Sequence, residues 1–184
     1  MRSLPQSDKI EFDLSGNAHL VCVKDRAIDL ILDKLEHLEF NRDCIQILHL
    51  GTTRSKQETV KIEQFHSIAD LQAKLIKILD RAIMGMRFYA IGSEQFVWHL
   101  GGCARSFGLS ETEINLEAID NEAKNIYCSN CLTINPLVDS DIFTCSNCKI
   151  KLEVLEHFSR LKNAYLGICA DAENSENLAE VTVK

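Results

Sequence analysis

The amino-terminal part of the chain alternates between short apolar runs and longer amphipathic stretches. His19–Val23 and Cys44–Leu50 are apolar runs rich in β-branched residues and leucine, which predicts two strands. Between them, apolar residues recur every three or four positions, as they do on the buried face of a helix. That face consists of Ile28, Ile31, Leu32, Leu35 and Leu38. Val60–Phe65 follows a polar loop and predicts a third strand.

A second helix is predicted directly after this strand. Ser67–Asp70 has the form of a capping box, in which the serine hydroxyl accepts a hydrogen bond from the amide three residues later. The helix then continues along an apolar stripe and should end near Gly85. The stripe consists of Ile68, Leu71, Leu75, Ile78 and Ala82.

The alternation of strand and helix continues to about residue 117. Arg87–Ile91 predicts a strand, Gly92–Ser93 a turn, and the residues from Glu94 a helix that Gly108 ends as its C-cap. Glu113–Glu117 predicts the last strand. Because strands joined through helices form right-handed βαβ crossovers, the fold class is α/β, with a parallel sheet and helices on its faces.

The pattern changes after this sheet, and we predict four segments in the chain. Residues 1–18 form an amino-terminal extension, and residues 19–120 form the α/β domain. A small four-cysteine domain follows at residues 121–173, and it ends with a carboxyl-terminal helix. The tail, residues 174–184, is polar and is predicted to be mobile.

Composition and charge restrict the classes of partner. The chain has 184 residues and a formal net charge of -7, which argues against binding nucleic acid through phosphate neutralisation. It has no apolar run of the roughly 20 residues that a membrane helix needs, and its start, MRSLPQSDKIEFD, is polar. Four cysteines lie singly in apolar surroundings, which favours a reducing, cytoplasmic location. They are Cys22, Cys44, Cys103 and Cys169.

The other four cysteines form two CxxC pairs in YCSNCLTINPLVDSDIFTCSNCK. They are Cys128, Cys131, Cys145 and Cys148. Two such pairs can supply a tetrahedral sulfur site, which suits zinc and also suits iron. Rubredoxin-like iron sites have glycine after the second cysteine of each pair, whereas this chain has Leu132 and Lys149. We therefore expect structural zinc and keep iron as the alternative.

The predicted sheet contains one candidate cofactor site. Ligands of open parallel sheets bind at the carboxyl ends of the strands, where helix N-termini offer free amides. After the first strand, Val23–Ala27 contains no glycine, and Asp25 would repel a pyrophosphate. After the fourth strand, Gly92 and Ser93 form a turn before a helix. Gly92 and Ser93 are therefore the candidate cofactor-binding residues.

The segment RFYAIGSEQFVWHLGGCARSFGLSETEINLE resembles the last part of the NAD domain of ferredoxin reductases. In that family a Cys-Gly-Pro turn stands where this chain has Ile91–Ser93. The stretch HLVCVKDRAIDLILDKL takes the place of the family's glycine-rich loop and has none of its glycines. The resemblance implies that this chain keeps the fold of the NAD domain but lacks the loop that binds pyrophosphate. Only about 18 residues precede the first strand, so we expect no flavin barrel before it.

The whole arrangement, from about His19 to Glu173, resembles the DmmA-like subunit of dimethylamine monooxygenase. The most specific parts are the cysteine pairs and the segment HFSRLKNAYLGICADAE. The resemblance implies a small subunit of a multicomponent enzyme that converts dimethylamine, NADPH and dioxygen to methylamine and formaldehyde. It also implies that NADPH, flavin and haem are bound by partner subunits.

The sequence therefore predicts an assembly or docking subunit of an oxidoreductase complex that is not catalytic alone. Trp98, Phe158 and Tyr165 are candidate surface anchors for its partners, with a place in the core as an equal alternative for Trp98. One alternative is an NAD(P)H-dependent electron-transfer subunit with iron in the four-cysteine site. The other is a zinc-ribbon adaptor for nucleic acid, although Asp139 and Asp141 balance the lysines near the cysteines.

Overall fold

The computed structural model describes residues 9–39, 41–52, 60–120 and 123–170. The predicted mobile tail, residues 174–184, lies outside these ranges. The chain divides into two compact units, one formed by Gln6–Asn121 and the other containing Glu122–Lys184. Within the described ranges, no helix combines the length and the apolar character needed to cross a bilayer.

The first unit is a five-stranded sheet with three α-helices. Its elements are β1 (Ala18–Lys24), α1 (Ala27–Glu36), β2 (Ile45–Leu50), β3 (Lys61–Phe65), α2 (Ile68–Leu79), β4 (Met86–Ser93), α3 (Glu94–Ser106) and β5 (Ile114–Asp120), with a short 3-10 turn at Arg42–Cys44. The strand order is β3-β2-β1-β4-β5, and every neighbouring pair is parallel. The predicted α/β fold class is confirmed.

The helices cover both faces of this sheet. The α1 connection runs from β1 towards the β3 edge, whereas the α2 and α3 connections run towards the β5 edge. Because such crossovers are right-handed, α1 lies on one face and α2 and α3 lie on the other. The core on the α1 face consists of Ile10, Val21, Val23, Ala27, Ile28, Ile31, Leu32, Leu35, Ile45, Ile47, Val60, Tyr89 and Ile91.

The structure confirms the capping box predicted at the start of α2 and the glycine predicted at the end of α3, but not the predicted end of α2. The Ser67 hydroxyl accepts a hydrogen bond from the Asp70 amide at 3.1 Å, as the capping box predicts. Gly108, just after α3, has a φ of 91°, which suits a glycine C-cap. The predicted end of α2 near Gly85 is wrong, because the helix stops at Leu79 and continues only as turns.

An amino-terminal strap, residues 9–17, forms part of the first unit. Ile10 is 2% exposed and packs into the core on the α1 face. Its amide donates a hydrogen bond of 2.7 Å to the Glu117 carboxylate on β5. Further along the strap, Arg87 Nε on β4 donates to the Asp13 carboxylate at 2.6 Å. The strap therefore covers β4 and β5 on the face where α1 covers β1 and β2.

The second unit is a mixed five-stranded sheet. Its strands are β6 (Lys124–Cys128), β7 (Ile134–Val138), β8 (Ile142–Thr144), β9 (Lys151–Ser159) and β10 (Ala164–Cys169). They lie in the order β7-β6-β10-β9-β8. The β6–β10 pair is parallel, and the other pairs are antiparallel.

The carboxyl-terminal helix predicted in the segment 121–173 is wrong, since Lys151–Cys169 forms the β9–β10 hairpin instead. Leu152, Leu155 and Phe158 follow each other at helical spacing, but the strand buries Leu152 and Phe158 in different places. Leu152 packs against the cysteine cluster, and Phe158 makes an edge contact with Tyr165 at 5.1 Å between ring centroids. Cross-strand pairing of these side chains outweighs the local helical pattern.

Candidate metal centre

The two CxxC pairs form the same tight turn, or knuckle. In the first, the Leu132 amide donates a hydrogen bond of 2.9 Å to the Cys128 carbonyl; in the second, the Lys149 amide donates one of 3.1 Å to the Cys145 carbonyl. The amide of each first cysteine also donates, at 2.9 Å, to the carbonyl five residues later. The repeated turn places two thiols from each knuckle on a common site.

Leu132 and Lys149 occupy equivalent positions in the two knuckles and share a rare backbone conformation. Their φ angles are 65° and 63°, in the left-handed region that favours glycine. For a bulky residue this conformation costs on the order of 1–2 kcal/mol. The larger side chains therefore do not prevent the knuckle turn, and the backbone geometry suits zinc and iron equally.

The four sulfur atoms converge on one point. All four Sγ atoms lie within 4.8 Å of one another. The Cys128–Cys148 separation is 3.8 Å, and the Cys131–Cys145 separation is 3.6 Å. A tetrahedral site with metal–sulfur bonds of about 2.3 Å has an edge of about 3.8 Å, whereas a disulfide bond measures about 2.05 Å. The thiols are unbridged, and their spacing fits a four-coordinate metal ion.

Hydrogen-bond donors favour the thiolate form of two of these cysteines. The Thr133 hydroxyl and then its amide lower the pKa of Cys131 to about 5. Burial acts to raise the pKa of Cys145, but nearby amides, that of Cys148 foremost, outweigh it and leave the value lowered. Burial raises the pKa of Cys128 to about 11. Metal ligation requires thiolates, which the donors around Cys131 and Cys145 support.

Asn135 on β7 connects the sheet to the second knuckle, and sequence reasoning did not identify it. It is 4% exposed, and its side-chain oxygen accepts hydrogen bonds of 2.8 Å from both the amide and the hydroxyl of Ser146. Its side-chain nitrogen lies 3.6 Å from the Cys145 sulfur and donates to it. A polar residue at an inward position of Ile134–Val138 was the available signal.

The predicted cofactor residues Gly92 and Ser93 end β4, next to the end of β1. The strand order changes direction between these two strands, which is where sheets of this type bind ligands. A Cβ atom on Gly92 would lie 2.7 Å from the Lys24 Cβ, so the glycine permits close packing onto Lys24. Lys24 Nζ donates to the Ser93 hydroxyl at 3.3 Å. A cofactor-binding role for Gly92 and Ser93 stays a prediction.

The turn after β1 is closed by hydrogen bonds to β2. The Asp25 amide donates to the Leu50 carbonyl at 2.8 Å, and the ring of buried His49 donates to the Asp25 carbonyl at 3.1 Å. In a dinucleotide-binding fold, amides of this turn face the pyrophosphate. Here the Asp25 amide is used within the protein.

The aromatic residues predicted as surface anchors are buried, so that prediction is wrong for Phe158 and Tyr165, and Trp98 takes the core position that was its alternative. Trp98, Phe158 and Tyr165 are each 6% exposed. Trp98 belongs to the apolar side of α3, and Phe158 packs against Tyr165 in the β9–β10 hairpin. Aromatic side chains at strand and helix positions with partners of this kind complete a core and leave little surface for docking.

Comparison with known proteins gives matches in both units. The family model described as dimethylamine monooxygenase subunit DmmA-like, N-terminal domain, matches residues 1–114. The model for the C-terminal domain of the same subunit matches residues 125–168.

One curated relative is the heme-dependent oxidative N-demethylase delta subunit of Ectopseudomonas mendocina (strain ymp). It is 39% identical over 112 residues. The aligned part covers 61% of this chain and 64% of the relative, so the chain spans less than two thirds of that protein. No solved structure matches the chain.

Proposed function

The chain belongs to the DmmA-like family of dimethylamine monooxygenase subunits, and from this we propose that it is an assembly subunit of a multi-subunit oxidative N-demethylase. The observation that carries the proposal is the match of family models to both units, one of which contains the four-thiol cluster. The similarity to a delta subunit supports a role beside other subunits.

The proposal extends to the reaction of the complex. The complex oxidises dimethylamine with NADPH and dioxygen to methylamine and formaldehyde, and its NADPH, flavin and haem are bound by partner subunits. The family description supports dimethylamine, and the name of the relative supports haem in the complex. A cytoplasmic location is part of the proposal, and the eight unbridged cysteines support it.

The four cysteines would hold a zinc ion with a structural role. Cys128 and Cys145 themselves form a buried cluster with Leu152, so two of the three buried members of this cluster are proposed ligands. A cluster built largely from metal ligands depends on the metal for its stability. A structural zinc ion supplies on the order of 10 kcal/mol of folding free energy in zinc-finger peptides. The absence of glycine at Leu132 and Lys149 is the sequence-based reason to prefer zinc, since the backbone of the two knuckles suits both metals.

A role in assembly also accounts for the first unit. Lys24 occupies the space beside Gly92, and the Asp25 amide bonds to β2. Both features reduce the room and the number of amide donors for a pyrophosphate at the ends of β1 and β4. The unit therefore serves as a folded scaffold that presents surface to other subunits.

Co-expression with the proteins encoded beside it tests the assembly role. We expect the chain to elute with a haem-containing or flavin-containing partner in size-exclusion chromatography. The partner should keep its absorption spectrum, which identifies it in the shared peak. Elution of the chain alone in the presence of every such protein would overturn the proposal.

One observation favours a second function, an NAD(P)H-dependent electron-transfer subunit with iron. The order β3-β2-β1-β4-β5 is that of dinucleotide-binding sheets, with Gly92 at the point where the order changes direction. Titration of the isolated chain with NADPH, followed by nucleotide fluorescence, distinguishes the two functions. Saturable binding together with a ferric absorption band would favour the reductase. No saturation, with a colourless protein, would favour the assembly subunit.

A further inference from the structure

The second unit has two ends with different chemistry. At one end, Cys128 pairs with Gly167 and the knuckles begin; at the other, Lys124 pairs with Val138. Lys124 and Cys128 are the two ends of the five-residue strand β6, so these levels of the sheet are about 13 Å apart. The turn between β9 and β10, residues 160–163, lies at the end away from the cysteines. The Asn125 side chain fixes this turn by donating to the Asn163 carbonyl at 3.3 Å.

This end of the sheet exposes two leucines. Leu161, in the β9–β10 turn, is 91% exposed, and Leu137, near the end of β7, is 67% exposed. Leu137 also has a φ of 56°, a left-handed conformation that is costly for a leucine. β7 and β10 are two strand spacings apart, about 10 Å. The backbone of Leu137 is strained, and the turn that contains Leu161 is fixed by Asn125. Functional surfaces often expose apolar side chains from backbone of these two kinds.

Two lysines flank these leucines, and each lysine makes a cation–π contact with a tyrosine ring. Lys124 Nζ lies 5.0 Å from the centroid of the Tyr165 ring, and Lys162 Nζ lies 5.2 Å from that of Tyr127. In the β6–β10 register, Tyr127 pairs with Leu166, the residue after Tyr165, so the two rings lie on opposite faces of the sheet. The ammonium groups therefore bracket the sheet end from both faces. We call Lys124, Leu137, Leu161 and Lys162 the distal rim.

The distal rim differs in charge from the rest of the chain. The rim as defined contains two lysines and no carboxylate, on a chain whose formal net charge is -7. Positive patches of this kind meet negative patches on partners. Side chains that are fixed before binding lose less entropy when a partner docks.

Addition of a partner strand is disfavoured at the nearby edge of the sheet. β7 is the edge strand, and Pro136 within it has no amide hydrogen to donate. The left-handed backbone of Leu137 turns the strand away from regular pairing. Docking at this end therefore depends on side chains.

From these observations we propose that the distal rim is the docking surface for another subunit of the demethylase. The matching surface is an apolar pocket that receives Leu161 and Leu137 and is bordered by carboxylates that pair with Lys124 and Lys162. This inference rests on the proposed function and adds the chemistry of the partner surface. Buried apolar anchors surrounded by charge complementarity are typical of interface hot spots.

The test measures the affinity of the purified full-length chain for the purified remaining subunits of its complex. Leu161→Ser and Lys162→Glu should each weaken binding by about 10-fold or more, as expected for hot-spot residues. Wild-type binding should weaken as salt rises, and Lys162→Gln should reduce that dependence. Metal content and far-ultraviolet circular dichroism of these variants should match the wild type, because both side chains are exposed.

Matched controls come from the cysteine end of the same sheet. Ile142→Ser on β8 removes an apolar side chain that is 51% exposed, and Lys151→Glu reverses an exposed charge at the start of β9. Both should keep affinity within about 2-fold of wild type, the range of neutral contacts.

Three results would contradict the proposal. If Leu161→Ser and Lys162→Glu bind with wild-type affinity, the distal rim is not the docking surface, and the proposed function remains intact. Self-association abolished by Leu161→Ser would identify a second copy as the occupant, also against the proposal. No binding by the wild type would overturn both.

Discussion

His19 shows how a single buried group makes this fold sensitive to pH. It lies near the start of β1, is 4% exposed, and its ring stacks on Tyr89 with 5.9 Å between centroids. Its Nδ1 lies 3.4 Å from the Tyr89 hydroxyl. Desolvation by burial lowers the pKa of His19 below its ordinary value of about 6.5. The folded chain therefore favours the neutral ring.

His19→Phe should reduce the pH dependence of stability. As the pH falls below about 6.5, the unfolded chain binds a proton at this histidine while the folded chain does not, so stability is lost. The loss ends once the pH falls below the lowered folded pKa. Phenylalanine keeps the ring and removes the titration. Urea midpoints at pH 7 and pH 5 measure the effect, and the difference between them should be smaller in the variant. Parallel profiles in the two proteins would contradict this account.

At the level of single residues, the spacing of the cysteines in the sequence predicted part of the candidate site, and the rest depends on the tertiary fold. The cysteine spacing predicted a sulfur cluster, and the four Sγ atoms do converge. The sequence marks Asn135 as a polar residue at an inward strand position, but its contact with Cys145 depends on how β7 pairs with β6. The aromatic residues proposed as anchors were placed on the surface for the same reason, since their burial depends on tertiary partners.

Two adjacent glycines in α3 differ in what surrounds them. A Cβ atom on Gly101 would lie 2.7 Å from one methyl group of Leu116 on β5 and 3.2 Å from the other. Leu116 is 7% exposed and has little room to move. A Cβ atom on Gly102 would meet no atom within 4 Å. Gly101 therefore sets the distance between helix and strand, whereas Gly102 does not.

Gly101→Ala and Gly102→Ala should change stability in opposite directions. Gly102→Ala should stabilise the first unit by about 0.5–1 kcal/mol, because alanine favours a helix interior. Gly101→Ala gains the same helix propensity but overpacks the contact with Leu116, and should destabilise the unit by about 1–3 kcal/mol. Urea unfolding followed by circular dichroism measures both. Equal shifts of the same sign would show that the helix-strand contact does not depend on Gly101.

At the level of elements, periodicity predicted the regular part of the fold. The strand-helix alternation of the first unit was enough to predict its parallel sheet, because each helix presents one apolar face. The β9–β10 hairpin has leucine spacing that also suits a helix, so only pairing with β6 and β8 determines its structure. The strap at residues 9–17 has too few apolar residues to show a period, and its place depends on Glu117 and Arg87.

At the level of the whole molecule, the two units depend on different sources of stability. The first has a continuous apolar core. The second buries Ile126, Ala164, Phe158 and Tyr165 in its sheet. The buried cluster at its knuckles, however, consists of Leu152 and two proposed ligands, Cys128 and Cys145. Removing a ligand should therefore affect the second unit far more than the first.

Cys145→Ser should release the proposed metal ion and expose the second unit to proteases. The metal contributes on the order of 10 kcal/mol in small zinc-binding units, more than the remaining contacts of the knuckles can replace. Gln6–Asn121 should persist as a resistant fragment. Cys169→Ser, in β10 and outside the cluster, is the control and should keep both the metal and the resistance. Equal digestion of both units in Cys145→Ser would show that they unfold as one cooperative unit.

We propose that the four cysteines hold a redox-inactive ion with a structural role in a subunit that assists catalysis elsewhere. Metal analysis of the purified chain, combined with its visible absorption spectrum, tests this claim most directly. The account predicts about one zinc ion per chain, as in four-cysteine structural sites, and no visible absorption band. Iron in place of zinc, with a ferric thiolate band that disappears on reduction, would contradict it.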